Sequence, residues 1–155
     1  MKKLFNVTPK AHLIDTALLV ARLGIGGLML THGLPKLFLL FSGAPVQFPP
    51  VLGMSPELSL AMAVFAEAFC SVLLLLGLAT RLAVIPLIIT MLVAVLLIHS
   101  ADPFSAKEPG LHYLLVYVVL LITGGGRYSL DNLWIRRWFS RRSTRRLEDP
   151  TLSIE

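Results

Sequence analysis

Apolar residues fill four long stretches of the chain, and short segments rich in polar residues, proline or glycine separate them. The first three stretches run from about Leu13 to Leu34, from about Glu57 to Leu78 and from about Leu82 to Ser100. The fourth lies within 109–124 and is apolar only over 111–123. A helix needs about 20 residues to cross the hydrocarbon of a bilayer, because it rises about 1.5 Å per residue. The pattern predicts an all-α fold, a bundle of four transmembrane helices in one integral membrane domain over 1–155.

The connections between these stretches differ in kind. Prolines at 45, 49, 50 and 56 exclude a continuous helix between the first two spans, so we expect this segment to lie in the interface or against the bundle. The motif GLATR at 77–81 is so short that the second and third spans must be antiparallel neighbours. Pro109 is expected to begin the fourth helix and Gly124 to follow its end, which makes that span shorter than a bilayer requires.

Composition and charge agree with a membrane protein and suggest its orientation. The chain is 55% hydrophobic and 15% charged, with a mean hydropathy of +0.77. Most basic residues, including six arginines in 136–146, fall on one side of the predicted bundle, which favours an orientation with both termini in the cytoplasm. The basic N-terminus precedes an apolar run too long for a signal peptide, so we interpret that run as a retained anchor. Cys70 is the single cysteine, which excludes a disulfide within the chain.

After the fourth span, residues 129–146 combine apolar side chains at helical spacing with arginines. Leu130, Leu133, Trp134 and Trp138 recur on this pattern. It favours an amphipathic helix on the inner leaflet in contact with membrane lipid, and a disordered basic tail is the alternative. Nothing in the chain resembles a nucleic-acid-binding module, so no nucleic acid partner is expected.

Two ionisable residues, Arg22 and Glu67, are predicted to lie near the midplane of the first and second spans. One ionised side chain at that depth costs about 3 kcal/mol on insertion scales, so we expect the two to form a buried ion pair or Glu67 to be protonated. A pair that fixes helix register and a polar group that acts on a substrate are both consistent with this placement.

A second group of polar residues is expected at the opposite end from the termini. His32 and Lys36 share a helix face if the helix continues past Pro35, His99 ends the third span, and His112 begins the fourth. The spacing matches no metal-ligand motif, so no metal is expected. Proton exchange with a small redox carrier and simple interfacial anchoring stay open. Tyr117 is a candidate lining residue, and Tyr113 is assigned to the aromatic belt.

Several motifs together resemble the DoxX family of small bacterial four-helix membrane proteins. They are HGLPKLF at 32–38, a glutamate in the second span followed by LLLLGLATR at 73–81, His99, and GRYSLD at 126–131. The resemblance implies a four-helix bundle in a bacterial inner membrane, with membrane redox chemistry as a shared theme. It carries over nine motif residues. Of these we take His32, Lys36, Glu67 and His99 as candidate catalytic residues, and Gly33, Gly77, Arg81, Ser129 and Asp131 as structural motif residues.

The resulting functional prediction is a subunit that binds a quinone or a similar small redox compound. Arg22, His112 and Tyr117 would contact the substrate. No Rossmann, haem or iron–sulfur motif is present, so no intrinsic cofactor is expected and electrons would come from a bound substrate or a redox partner protein. A scaffold that recruits a soluble redox partner and a small-lipid-binding protein are the open alternatives. Whether the protein forms a homo-oligomer is also open. At the cytoplasmic end, an ion pair between Arg81 and Asp131 is expected to tie the helices together, with Arg127 as the alternative partner of Asp131.

Overall fold

The computed structural model describes residues 11–134, which form four long helices and their connections. Helix α1 is Ala11–Phe41, α2 is Pro56–Leu76, α3 is Thr80–Ile98 and α4 is Phe104–Thr123. Each is long and apolar enough to cross a membrane. The predicted all-helical fold with four membrane-spanning helices is confirmed.

Successive helices run in opposite directions. Helix α1 packs against α2, α2 against α3 and α3 against α4, and a smaller contact between α1 and α4 closes the bundle. We call the end where α1 begins, and where Arg81 and Arg127 lie, the arginine end. The opposite end, which carries Lys36 and Lys107, is the lysine end.

Two helices differ from their predicted bounds at the lysine end. Helix α1 does not stop near Leu34 but continues through Pro35 to Phe41, and Leu37, Leu39 and Leu40 of this continuation pack on the bundle. Helix α4 begins at Phe104 rather than at Pro109 and contains 20 residues. The expectation of a fourth span shorter than a bilayer requires was therefore wrong, since proline is tolerated near the start of a helix, where few backbone N–H groups have a partner anyway.

The core lies where all four helices meet. Met29, Leu74, Leu87, Tyr117 and Leu120 are its most buried large side chains. Around this core, every helix exposes large apolar side chains on the surface of the bundle. A surface of this kind is suited to contact with lipid.

The long connection between α1 and α2, residues 42–55, lies against the lysine end of these two helices. Val46 and Phe48 pack on a small cluster formed by Leu60, Val64 and Ala68. The connection is thereby held against the bundle, one of the two arrangements expected from its prolines.

Two helices contain a π-helical turn. In α2 this turn covers Phe65–Cys70, and in α3 it covers Ala94–Ile98. One extra residue per turn rotates the side chains that follow, and such turns are frequent at functional sites. The turn in α2 includes Glu67.

After α4, the chain turns through Gly124–Gly126 and becomes helical again at 130–134. These residues are the first part of the amphipathic helix predicted over 129–146. Residues 135–146, with all six of its arginines, lie outside the described residues.

Candidate functional site

An ion pair between α1 and α2 is the centre of the site at the lysine end. Lys36 Nζ donates to both oxygens of the Glu67 carboxylate, at 2.5 Å from Oε1 and 2.6 Å from Oε2. The Glu67 side chain is 3% exposed and that of Lys36 is 31% exposed. The ring of Phe48, from the connection between α1 and α2, lies 5.9 Å from Nζ and adds a cation–π contact.

The continuation of α1 explains how Lys36 reaches Glu67. Side chains on a helix lean towards its N-terminus. Because α1 runs towards the lysine end, the Lys36 side chain leans back into the bundle instead of out of it. A lysine that the sequence placed just beyond the first span is in fact a helix residue with a buried partner.

Gly33 determines how closely the two helices approach. A Cβ atom at this position would lie 2.6 Å from the carbonyl carbon of Glu67 and 2.7 Å from the backbone N of Ala68. Only glycine allows such an approach, as small residues do at other membrane helix interfaces. Gly33 is one turn before Lys36, so it brings Lys36 within reach of Glu67.

Three aromatic rings form a row beside this ion pair. The His32 ring meets the Tyr113 ring nearly edge to face, with 5.9 Å between centroids, and the Tyr113 and Tyr117 centroids are 6.1 Å apart. Tyr113, assigned to the aromatic belt from its position, is thus half-buried between two other site residues.

Tyr117 has an unusual environment for a tyrosine. Its side chain is fully buried in the core, and its hydroxyl has no hydrogen-bond partner among residues 11–134. A buried hydroxyl in a protein nearly always has a partner. The hydroxyl is therefore a hydrogen-bond donor of the site that no described residue uses.

Within residues 11–134, the other two histidines of the predicted site make no hydrogen bond or ring contact with Lys36, Glu67 or the three rings. His99 Nδ1 is 2.7 Å from Asp102 Oδ2, a local pair that is about half-exposed in the connection between α3 and α4. His112 is exposed. Among the described residues, no three histidine, cysteine, aspartate or glutamate side chains come together in a metal-binding arrangement.

Arg22 does not pair with Glu67, and this prediction was wrong. Its Nη2 donates to the carbonyl oxygen of Tyr128, at 2.8 Å, in the segment that follows α4. The reason is again the lean of helical side chains: Arg22 leans towards the start of α1, and Glu67 leans towards the start of α2 at the other end. Equal depth along the spans therefore did not bring the two charges together.

The predicted Arg81–Asp131 ion pair is also wrong, although Asp131 does connect the helices at the arginine end. Its carboxylate accepts from the backbone N–H groups of Ala79, at 2.6 Å, and Thr80, at 3.0 Å, at the N-terminus of α3. Arg81 Nη2 donates instead to the carbonyl oxygen of Ile122, at 2.9 Å. A carboxylate at a helix N-terminus satisfies free N–H groups and favours the helix dipole.

Gly77 and Ser129 complete this corner. Gly77, at a φ of 67°, ends α2 in the left-handed conformation, and its carbonyl oxygen accepts from the N–H of Asp131 at 3.0 Å. Ser129 Oγ donates to the Gly126 carbonyl, at 2.6 Å, and accepts from the N–H of Asn132, at 3.2 Å. Both residues are thus parts of the turn structure, as their assignment as structural motif residues suggested.

The sequence itself matches a family model described as DoxX over residues 17–100, more than half of the chain. The chain belongs to the DoxX family. The match and the four apolar helices make this DoxX protein a multi-pass membrane protein whose outer surface contacts lipid. The matched range includes Gly33, Lys36 and Glu67 and ends before the Asp131 corner. Neither the curated proteins nor the solved structures that were compared give a match.

Sequence reasoning missed the Lys36–Glu67 partnership, and a signal for it was present. The residues after Pro35 are LFLLF, Leu37 to Phe41, which is as apolar as the span before the proline. An apolar run that resumes after a proline indicates a helix that continues through it. No comparable signal marked the missing partner of the Tyr117 hydroxyl, because hydrogen bonding depends on the packed structure.

Proposed function

We propose that this DoxX protein binds a quinone or a similar small redox-active compound beside the Lys36–Glu67 pair, as a subunit of a membrane oxidoreductase system. The observation that supports it most is that buried ion pair between α1 and α2, since ionisable groups inside a membrane protein are functional candidates by default. The proposal keeps His32 and Tyr117 at the site and leaves His99 and His112 outside its centre.

The available chemistry suits a compound with two carbonyl oxygens. Reduction of a quinone to a quinol takes up two electrons and two protons. The Lys36 ammonium group and the Tyr117 hydroxyl can each donate a hydrogen bond to a carbonyl oxygen, and the imidazole of His32 can act as a proton donor or acceptor. The protein carries no redox motif of its own, so the electrons would come from a partner oxidoreductase.

The proposed orientation has both termini in the cytoplasm of a bacterial cell. The arginine end carries Arg81 and Arg127 and leads to the arginines of 136–146, whereas the lysine end carries Lys36 and Lys107. This imbalance follows the rule that positive loops stay inside. The Lys36–Glu67 site would then lie towards the outer face of the membrane.

Binding of a short-chain benzoquinone to the purified protein in lipid nanodiscs tests the proposal. We expect saturable binding to the wild type and an affinity about tenfold lower in Lys36→Met and in Glu67→Gln, because each removes a charged group of the site. Lys107→Met is the matched control, since Lys107 is a lysine of the same end that donates to the backbone carbonyl of Ser100. Equal affinity in all four proteins, or no binding to the wild type, would contradict the proposal.

A further inference from the structure

The arginine end contains a cavity of about 980 Å³ that the proposed function does not use. Thr80, Arg81, Arg127 and the glycines 124–126 supply much of its polar wall. Leu82 and Trp134 also line it, and both are largely exposed. The cavity therefore joins a polar wall, which also contains Asp15 and Asp131, to an apolar surface of the kind that contacts lipid.

Arg22 lies directly behind this wall and is 1% exposed. One of its nitrogens, Nη2, donates to Tyr128, but Nε and Nη1 have no hydrogen-bond partner among residues 11–134. Burial of an uncompensated charge costs several kcal/mol. A guanidinium group in this position is expected to have an anionic or polar partner.

A second buried group without a partner meets Arg22 at the same place. Thr80 Oγ1 is buried and has no hydrogen-bond partner within the described part of the chain. A Cβ atom at Gly125 would lie 2.6 Å from Thr80 Oγ1 and 3.2 Å from Arg22 Nη1. Both groups therefore lie against Gly125, which together with Thr80 lines the cavity.

The carboxylates nearby are already engaged elsewhere. Asp131 accepts from the N–H groups of Ala79 and Thr80, and Asp15 Oδ1 accepts from the N–H of Arg127, at 2.9 Å. In charge, these two carboxylates offset Arg81 and Arg127, which line the same cavity. The charge of Arg22 is then in excess, and this excess favours an anion.

We propose that this cavity binds a phosphate-class oxyanion, with Arg22 and Thr80 as its buried donors. A tetrahedral oxyanion has several acceptor oxygens, and guanidinium groups bind such groups with two parallel hydrogen bonds. Gly125 has no side chain to cover these two donors, and its glycine neighbours allow this turn to shift as the ligand enters. The anion is either the headgroup of a phospholipid, with its chains along the exposed Leu82 and Trp134, or free inorganic phosphate.

Native mass spectrometry of the full chain released from neutral detergent distinguishes these sources. The protein is mixed with phosphatidylglycerol, with diacylglycerol, which has the same chains without phosphate, with inorganic phosphate, or with chloride at matched ionic strength. We expect one phosphate-bearing ligand per chain. In Thr80→Val, which keeps the shape and removes the hydroxyl, we expect affinity to fall about tenfold. Arg22→Lys keeps the charge but removes the pair of parallel N–H donors of the guanidinium group, so it should weaken binding further. Lys107→Gln at the lysine end should have no effect.

Each outcome has a defined meaning. Retention of phosphatidylglycerol but not of inorganic phosphate supports the site with a lipid headgroup as its ligand, and retention of both supports it with free phosphate as a ligand. The proposal is overturned by equal binding of phosphatidylglycerol and diacylglycerol without phosphate binding, by equal affinities of Thr80→Val and wild type, or by the absence of a phosphate-bearing ligand. If Arg22→Lys does not fold, Thr80→Val alone decides.

Discussion

Lys36 and Glu67 form an ion pair between two membrane helices, with Nζ within 2.6 Å of both carboxylate oxygens. The sequence gives no indication of this pairing, because 30 residues lie between Lys36 and Glu67. An isolated charge in the hydrocarbon costs about 3 kcal/mol on insertion scales, and the pair cancels the net charge of the site. The pair therefore offsets part of the cost of placing two ionisable groups inside a small bundle.

Removal of the lysine charge alone should destabilise the bundle. In Lys36→Met the Glu67 carboxylate loses its partner, and breaking a buried pair costs 3–5 kcal/mol in known cases, so we expect about 3 kcal/mol because Lys36 is partly exposed. Unfolding of the purified protein in mixed micelles measures this change. Addition of Glu67→Leu to Lys36→Met should recover most of the loss. A double variant as unstable as the single one would show that the lost stability did not come from the pair.

Substitution of Gly33 should separate α1 from α2. The Cβ atom of Gly33→Ala would overlap the backbone of Glu67, and overpacking of this kind costs about 1–3 kcal/mol. A Cβ atom at Gly27, on the same helix, would have no neighbour within 4 Å. We therefore expect Gly27→Ala to leave the unfolding transition unchanged or to raise it slightly, and equal effects of the two substitutions would refute this account of Gly33.

The sequence was sufficient for the helices but not for their charge pairs, and Arg22 shows why. Hydropathy places Arg22 and Glu67 at similar depth, and depth is all that a one-dimensional pattern contains. The side chains of antiparallel helices lean in opposite directions, so residues at equal depth are drawn apart. Lys36 was placed outside the span and reaches Glu67 for the same reason. The direction of the side chain, more than its position along the helix, decides the partner.

The Asp131 corner illustrates a different limit. The sequence identified Asp131 and the GLATR turn as parts of one structure at the arginine end, and this prediction of proximity is confirmed by the contacts with Ala79 and Thr80. The predicted partner, Arg81, was wrong because opposite charges in a sequence suggest an ion pair. Free backbone N–H groups cannot be recognised from the residue types. A helix N-terminus that begins right after a tight turn is the signal to look for.

Asp131→Ala should weaken the connection between α3 and the segment after α4. Two N–H groups at the N-terminus of α3 lose their acceptor, and loss of a helix cap costs about 0.5–2 kcal/mol. Asp102→Ala is the control, because Asp102 is an exposed aspartate whose partner is the His99 side chain. Hydrogen exchange of the 77–82 amides, followed by mass spectrometry, should increase in Asp131→Ala and stay unchanged in Asp102→Ala. Unchanged exchange in both proteins would contradict the capping role.

Tyr117→Phe separates stability from ligand binding at the proposed quinone site. The Tyr117 hydroxyl is buried and has no partner among the described residues, and an unmade hydrogen bond of this kind costs about 1–3 kcal/mol. Its removal should therefore leave the free energy of unfolding unchanged or raise it by about 1 kcal/mol. If the hydroxyl donates to a bound benzoquinone, the same substitution should lower the affinity by about tenfold.

Tyr117→Phe should lower the quinone affinity without lowering the free energy of unfolding only if the hydroxyl donates to a ligand. A structural tyrosine whose hydroxyl has a bound water as its partner would lose stability on substitution and would not change quinone affinity. Tyr113→Phe is the matched control, because Tyr113 is the half-buried neighbour on the same helix face. A lower affinity in Tyr117→Phe together with unchanged stability would place a ligand carbonyl beside Tyr117.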